Sequence, residues 1–392
     1  MKKIAKITVA LLLAVAMCFS LAGCYDEDLN WSAKYDDTEL PAGAYIYYLS
    51  IAYNEAASKV STEDEVLKCE IDGTPAETWI KNRADEYVNQ YFYIQSEMKR
   101  LGLEMTDDDY STSLQTTETY WNYFGTSFEK FGIAKTSFDI AYSQYNRMYL
   151  KVFNALYGEG GENEVPESEL RQHIEDSYYD YEYFSAPLTT TDDDGNSVDL
   201  TDEEKADLKE TLEKYKTKIE SGAMTVNDAA TDYALKVQAD STYQTGIKDE
   251  NGMQSSYMPD AFISAIKEMN EGDVEIVEST KYMIVLHRLP IKDDEDTLLE
   301  SSDNRSQFLL ELKNTEYADI VSAAAESFEG VEWNEKVLNR YKPSMFADSS
   351  KNGTSSVASE SSDESASSEE SSTESSEASS ETSETSSESS AE

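Results

Sequence analysis

Cysteine and histidine, the side chains that most often act as nucleophiles and metal ligands, are scarce in this chain. The sequence has 392 residues but only 3 cysteines and 2 histidines. Cys18 and Cys24 lie near the N-terminus, so only Cys69 remains beyond residue 24, and that part of the chain has no internal disulfide, C-x-x-C pair or cysteine zinc cluster. His173 and His287 are far apart in sequence, so we expect neither a histidine-pair metal site nor a catalytic triad. The sequence therefore identifies no catalytic residue and predicts no metal and no cofactor.

Cys24 has the sequence context of a lipid acceptor. Three lysines in the first six residues precede the apolar stretch Ile7 to Ala16, which has the length of a signal-peptide core and is too short for a permanent membrane span. Leu21-Ala22-Gly23-Cys24 then resembles the lipobox of bacterial lipoproteins. This resemblance implies removal of residues 1–23, lipidation of Cys24 and attachment to the extracytoplasmic face of the cell membrane. An ordinary secretory signal with a chance cysteine is the alternative.

A second set of residues has a characteristic order in the last third of the chain. Met258 and Phe262 are four residues apart, Gly272 follows ten residues after Phe262, and two short strand-like stretches come next. This order resembles the parvulin-type peptidyl-prolyl isomerases, in which the corresponding Met and Phe line the proline pocket. The resemblance implies a peptide-binding groove formed by Met258 and Phe262, with Tyr183 from the first strand and Met283 from the last strand.

The chain departs from this family in the polar part of the site. Parvulins usually place one histidine in the first strand and one in the last, where this chain offers Tyr183 or Phe184, and Met283. Isomerisation has a barrier of about 18–20 kcal/mol, and a catalyst must bind the twisted amide better than either planar form. We therefore expect a peptide-binding domain with weak or lost isomerase activity. Plain helix packing of Met258 and Phe262 at i, i+4 is an equally good interpretation.

Helical patterns dominate on both sides of this segment. The order inside it is strand, three helices and two strands, with residues 240–257 read as an irregular loop. The flanks resemble the helical chaperone domain of the PrsA foldase lipoproteins and of the related chaperone SurA, into which a parvulin domain is inserted. The predicted class is α+β. The predicted segments are a signal peptide (1–23), a tether (24–40), a helical domain in two parts (41–179 and 293–346), a parvulin-like domain (180–292) and a disordered Ser/Glu-rich tail (347–392).

Charge and composition limit the partners. A net charge of -47 argues against binding to nucleic acid and against adsorption to an anionic membrane surface, so the lipid must supply the anchoring. The tail has almost nothing to bury and should be disordered. The 27 tyrosines either build cores or line surfaces that hold peptides, and the core role is expected for most of them.

Three functions fit these observations. The first is a membrane-anchored extracytoplasmic foldase or chaperone whose partners are unfolded or newly secreted proteins. The second is an active peptidyl-prolyl isomerase with an altered site. The third is a solute-binding lipoprotein of an import system, which would have two lobes of alternating strands and helices.

Overall fold

The computed structural model describes residues 29–60, 63–192 and 195–347. These residues form helices and small antiparallel sheets, which confirms the predicted α+β class. No helix within the described part is both long and apolar enough to cross a membrane.

The strands are Trp31–Tyr35 (β1), Thr38–Pro41 (β2), Glu70–Ile71 (β3), Thr74–Pro75 (β4), Tyr178–Pro187 (β5), Thr189–Thr191 (β6), Ser197–Asp199 (β7), Gln244–Asp249 (β8), Val274–Glu278 (β9), Tyr282–Leu289 (β10) and Glu332–Trp333 (β11). The helices are Ala42–Ser58 (α1), Ala76–Arg100 (α2), Asp107–Lys130 (α3), Lys135–Phe138 (α4), Tyr145–Tyr157 (α5), Glu167–Ser177 (α6), Asp202–Glu220 (α7), Val226–Val237 (α8), Glu250–Ser255 (α9), Asp260–Glu268 (α10), Glu295–Glu300 (α11), Ser302–Glu326 (α12) and Glu335–Arg340 (α13).

The helical body has one hydrophobic core to which both ends of the described chain contribute. Buried residues between 33 and 178 and between 291 and 346 belong to the same cluster. Helix α1 is buried on most of its surface because it is apolar nearly all round, and its tyrosines Tyr45, Tyr47 and Tyr48 lie in this core. The Tyr48 hydroxyl donates a hydrogen bond to the Ala141 carbonyl over 3.0 Å. Many of the tyrosines are therefore core residues.

The predicted tether differs from the structure in its second half. Residues 31–41 form the β1–β2 hairpin, and β11 pairs with β1. Ser32, Ala33 and Leu40 are fully buried, and the Asn334 amide donates to the Ser32 carbonyl over 2.9 Å. The composition of this stretch is polar, but these few inward side chains suffice to fix it in the body, so the tether prediction is wrong for residues 31–40.

Helix α3 joins the body partly through a polar seam. Its buried residues include Ser113 and Thr117, whose hydroxyls donate to Asp139 Oδ1 over 2.6 Å and 2.8 Å. Asp139 begins a π-helical turn, Asp139–Gln144, between α4 and α5. Leu114, on the same helix, is 54% exposed, so hydrogen bonds of Ser113 and Thr117 hold this end of α3 where apolar contacts are few.

Residues 178–289 form a four-stranded antiparallel sheet in the order β8-β5-β10-β9. One core lies on each face: α7 and α8 contribute to the first, and α9 and α10 to the second. The loop predicted for residues 240–257 is wrong, because it contains the edge strand β8, paired with β5, and the helix α9. Edge strands need few apolar residues, so the composition of β8 did not indicate a strand.

Candidate functional site

An aromatic cluster occupies one face of the four-stranded sheet. Tyr181 and Tyr183 lie two residues apart on β5 and therefore point to the same face. The Phe262 ring on α10 meets the Tyr181 ring at 5.3 Å and the Tyr183 ring at 5.2 Å, both edge-on. Phe262 is 1% exposed, so its ring holds α10 on the sheet and offers almost no surface to a ligand in this conformation.

Met258 lies at the open side of this cluster. It is partly exposed, and the Tyr181 hydroxyl donates to its sulphur over 3.6 Å. Tyr183 is also partly exposed. We call Tyr181, Tyr183, Met258 and Phe262 the aromatic sheet face. The structure therefore brings three of the predicted groove residues together, with Met258 and Tyr183 accessible and Phe262 beneath them.

Met283 does not belong to this face. It is 2% exposed and packs in the core on the opposite side of the sheet, with Phe184 and Val285. The β10 residues on the same side as Phe262 are Ile284 and Leu286. Because side chains alternate along a strand, a shift of one residue changes the face, and the assignment of Met283 to the groove is wrong.

The histidines also lie away from the aromatic sheet face. His287 Nδ1 is 2.9 Å from Glu182 Oε1, and the Tyr243 hydroxyl donates to Glu182 Oε2 over 2.9 Å. Glu182 and His287 are a cross-strand pair on the Met283 side of the sheet. The hydrogen bond with His287 holds the pKa of Glu182 below its ordinary value, against the effect of burial. His173 is in the helical body, where its Nε2 lies 2.6 Å from Glu311 Oε2.

The polar groups on the aromatic sheet face are phenol hydroxyls. Burial, with the nearby Tyr183 and Asp180, raises the pKa of Tyr181, and burial raises the pKa of Tyr183. Both hydroxyls therefore keep their protons at neutral pH and can donate hydrogen bonds. This face can hold apolar side chains and proline rings, and it can donate a hydrogen bond to a peptide carbonyl.

Sequence reasoning missed Tyr181 and Tyr257. The alternation of Tyr181 with Tyr183 was a usable signal, since residues i and i+2 of a strand share a face. Tyr257 precedes Met258, is 95% exposed and has a φ of +56°. No sequence signal marked it, because a left-handed conformation is unexpected for a tyrosine.

A second exposed aromatic surface lies on α3 in the helical body. Tyr110 and Leu114 are 45% and 54% exposed, and Trp121 is partly exposed. Their spacing of i, i+4 and i+11 places them along one side of the helix. We call these three residues the α3 stripe. Tyr123, elsewhere on the same helix, is also well exposed.

Two of the predicted features, the lipidation site Cys24 and the tail beyond residue 347, lie outside the residues that the structure describes. Within the described ranges, no group of three or more His, Cys, Asp and Glu side chains is arranged to hold a metal ion.

Comparisons with known proteins give structural neighbours of low similarity. No family model and no curated protein sequence matches the chain. Foldase protein PrsA from Streptococcus pneumoniae str. Canada MDR_19A is 13% identical with a TM-score of 0.36, and the match covers 71% of this chain and 97% of that one. PrsA from Lactococcus lactis is 13% identical with a TM-score of 0.33, covering 81% and 98%. PrsA from Bacillus subtilis is 14% identical with a TM-score of 0.30, covering 68% and 92%. Values this low assign neither a fold nor an activity to this chain.

Proposed function

We propose that this protein is an extracytoplasmic chaperone of the foldase type, anchored to the cell membrane through a lipid on Cys24. Its clients are unfolded or newly secreted proteins. The observation that carries the proposal is the α3 stripe, an aromatic and aliphatic surface that no described part of the chain covers fully. Tyr110 and Leu114 are well exposed, whereas the Trp121 ring packs partly against Phe128 and Phe138. Exposed apolar side chains on one side of a helix can mark a surface for a partner.

The composition of the α3 stripe suits weak, promiscuous binding. Tyrosine and tryptophan rings supply large contact areas with few rotatable bonds, and their polar ends tolerate water. The acids at the start of α3, Glu104, Asp107 and Asp108, are exposed, so the stripe lies beside negative charge. This arrangement favours client segments that combine apolar and basic side chains.

The same proposal assigns weak or no isomerase activity to the sheet domain. Catalysis requires groups that stabilise the twisted amide more than the planar one. On the aromatic sheet face, Phe262 is packed as a core residue, and the His287–Glu182 pair lies on the other side of the sheet. We therefore propose that this face binds peptide and catalyses prolyl isomerisation weakly or not at all.

An active isomerase with an altered site is the second candidate. Tyr183 is partly exposed on the aromatic sheet face and burial raises the pKa of its phenol, so this hydroxyl could donate to a client carbonyl, which favours the candidate. A protease-coupled assay on proline peptides decides it: rates above the uncatalysed background support an isomerase, and background rates exclude one. The third candidate, a solute-binding lipoprotein, needs lobes of alternating strands and helices, whereas every sheet in the described ranges is antiparallel.

The chaperone proposal is tested by light scattering from an unfolded secreted protein in the presence of residues 25–392. We expect the chain to slow aggregation, and the double variant Tyr110→Ala, Leu114→Ala to lose most of this effect. Ile320→Ala is the matched control, since Ile320 is an aliphatic side chain of the same body, 40% exposed on α12. Failure of the parent chain to slow aggregation of any such client would refute the proposal. Equal protection against aggregation by the parent chain and the double variant would show that the α3 stripe is not the binding surface.

A further inference from the structure

The chain crosses twice between the helical body and the sheet domain of residues 178–289. It enters the sheet where α6 ends and β5 begins with Tyr178, and it leaves where β10 ends at Leu289. Tyr178 and Ile291 are buried in the core of the body, whereas residues further along both strands belong to the separate cores of the sheet. We call these two crossings the junction. Side chains that fasten the crossings to the body therefore decide how firmly the sheet domain is held.

A histidine–carboxylate pair fastens the first crossing. His173 Nε2 on α6 lies 2.6 Å from Glu311 Oε2 on α12, and the Tyr178 hydroxyl donates to Glu311 Oε1 over 2.7 Å. Gln307 Nε2 donates to the same oxygen over 3.0 Å, and the Phe308 ring meets the Tyr178 ring edge-on at 5.2 Å. A protonated His173 forms an ion pair with Glu311, whereas a neutral one keeps only a hydrogen bond. This contact therefore weakens as the pH rises through the range in which histidine side chains lose their proton.

The surroundings of this pair are mostly acidic. Burial opposes ionisation of Glu311, but the hydrogen bonds from His173, Tyr178 and Gln307 hold its pKa below the ordinary value, so Glu311 is ionised at neutral pH. Further charged side chains on the elements that meet here are Glu169, Arg171, Glu175 and Asp176 on α6, Asp249 on β8, and Lys313 and Glu316 on α12. Within this set, His173 is the only side chain of a type that ordinarily changes charge between about pH 5 and pH 8.

A pair of carboxyl groups fastens the second crossing. Asp180 on β5 is 5% exposed and lies opposite Leu289, the last residue of β10. Its carboxyl is hydrogen-bonded to that of Asp294, which precedes α11. Two carboxyl groups share a hydrogen bond only while one of them holds a proton. Burial and Asp294 raise the pKa of Asp180, so this contact is complete in acid solution and gives way to repulsion between two carboxylates as the pH rises.

Other charged groups beside this carboxyl pair are held in pairs of their own. These are Lys292 with Glu175 at 3.0 Å, Arg171 with Glu295 at 3.1 Å, and Glu182 with His287 at 2.9 Å. A cation that already has an acidic partner neutralises a further carboxylate poorly. Ionisation of both Asp180 and Asp294 therefore leaves like charges facing each other across the second crossing.

We propose that the junction is a pH-sensitive switch: in mildly acid solution the His173–Glu311 and Asp180–Asp294 contacts hold the sheet domain on the body, and loss of their protons at higher pH lets it move away. The two contacts lie on different crossings and respond to pH in the same direction. His287 and Glu182 also form a histidine–carboxylate pair, but both belong to the sheet domain, so this pair does not act across the junction. The inference goes beyond the proposed function and does not depend on client binding.

The test measures the distance between the body and the sheet domain by single-molecule fluorescence energy transfer. Residues 25–392 carry Cys69→Ser, which removes the remaining thiol, and one label each at Thr119→Cys on α3 and Lys209→Cys on α7, both exposed positions. The distance distribution is recorded at about pH 5 and about pH 8. Circular dichroism at both pH values verifies that each variant is folded.

We expect one narrow distance for the parent at the lower pH and a second, displaced population at the higher pH. The ratio of displaced to docked molecules should rise by roughly tenfold, the linkage effect of one pKa unit. The double variant His173→Gln, Asp180→Asn should give the same distribution at both pH values. Glu311→Gln, which removes the charge from the first crossing alone, should show the displaced population already at the lower pH. The matched control His287→Gln should respond like the parent.

A parent whose distance distribution is the same at both pH values overturns the inference. A full response in the double variant, or its loss in His287→Gln, overturns it as well, because the response would then come from groups outside the junction. The labels report the position of the sheet domain without any client, so these results are independent of the aggregation assay that tests the chaperone proposal.

Discussion

Replacing Phe262 by alanine separates the two interpretations of the aromatic sheet face. If the ring is a core residue, as its 1% exposure indicates, truncation creates a cavity between α10 and the sheet. Such phenylalanine truncations cost about 3–5 kcal/mol. The two edge-on contacts with Tyr181 and Tyr183 contribute about 0.5–1.5 kcal/mol each, which places the expected loss in the upper part of that range. If the ring instead lined an open, water-filled groove, its truncation would lower the free energy of unfolding by only roughly 1 kcal/mol, because much of its area would already be hydrated.

Hydrogen exchange measured by mass spectrometry is the suitable assay, because it reports on the sheet domain and the helical body separately. In Phe262→Ala we expect peptides from β5 and β10 to lose protection equivalent to at least 3 kcal/mol, on the order of the cavity cost. Peptides from α2 and α12 should change little, since these helices belong to the separate core of the body. Val198→Ala, at an exposed position of β7, is the control and should leave both regions unchanged. A loss of protection below roughly 1 kcal/mol in β5 and β10 would contradict the core interpretation and would support a groove-lining role for Phe262.

Two further substitutions test polar contacts that the fold depends on. Burial and the neighbouring Asp294 carboxyl raise the pKa of Asp180 well above its ordinary value, and Glu182 adds to the shift. The folded state therefore binds this proton more tightly than the unfolded state does. Because of this difference, the stability of the parent protein should fall as the pH rises from about 4 through the raised pKa. Asp180→Asn removes this titration, so the excess of its urea midpoint over that of the parent should widen steadily as the pH rises from about 4 toward 8; parallel curves for the two proteins would refute the assignment. Asp139→Ala leaves the Ser113 hydroxyl without its acceptor, at a cost of about 1–3 kcal/mol for this buried group, while the Thr117 hydroxyl keeps Ser143 Oγ at 2.8 Å. Hydrogen exchange in residues 107–130 should therefore accelerate, and unchanged exchange there would mean that the seam does not hold α3.

The long helices and central strands were predictable, because their apolar residues repeat with the period of the element. The stripe Ala84, Val88, Tyr91 and Ile94 in α2 is buried as its helical spacing indicates. The strands β9 and β10 were also found, since their apolar runs are bounded by polar residues and a glycine.

The errors concern positions where partners elsewhere in the chain decide the structure. Strand β8 is polar and exists because β5 offers a free edge to it. The β1–β2 hairpin depends on β11, about 300 residues away in sequence, as the hydrogen bond from Asn334 Nδ2 to the Trp31 carbonyl illustrates. Met283 was placed on the wrong face because composition specifies a strand but does not fix which alternate residues point to which side.

The negative charge of the chain opposes self-association through its exposed aromatic surface. A lipid anchor would concentrate the protein in two dimensions, where surfaces such as the α3 stripe would tend to pair with copies of themselves. A net charge of -47 opposes that pairing, because two copies repel each other at close approach. An unfolded client without this negative charge experiences no such repulsion, and a basic one is attracted. We therefore propose that the acidic composition favours binding of client chains over self-association at the exposed rings.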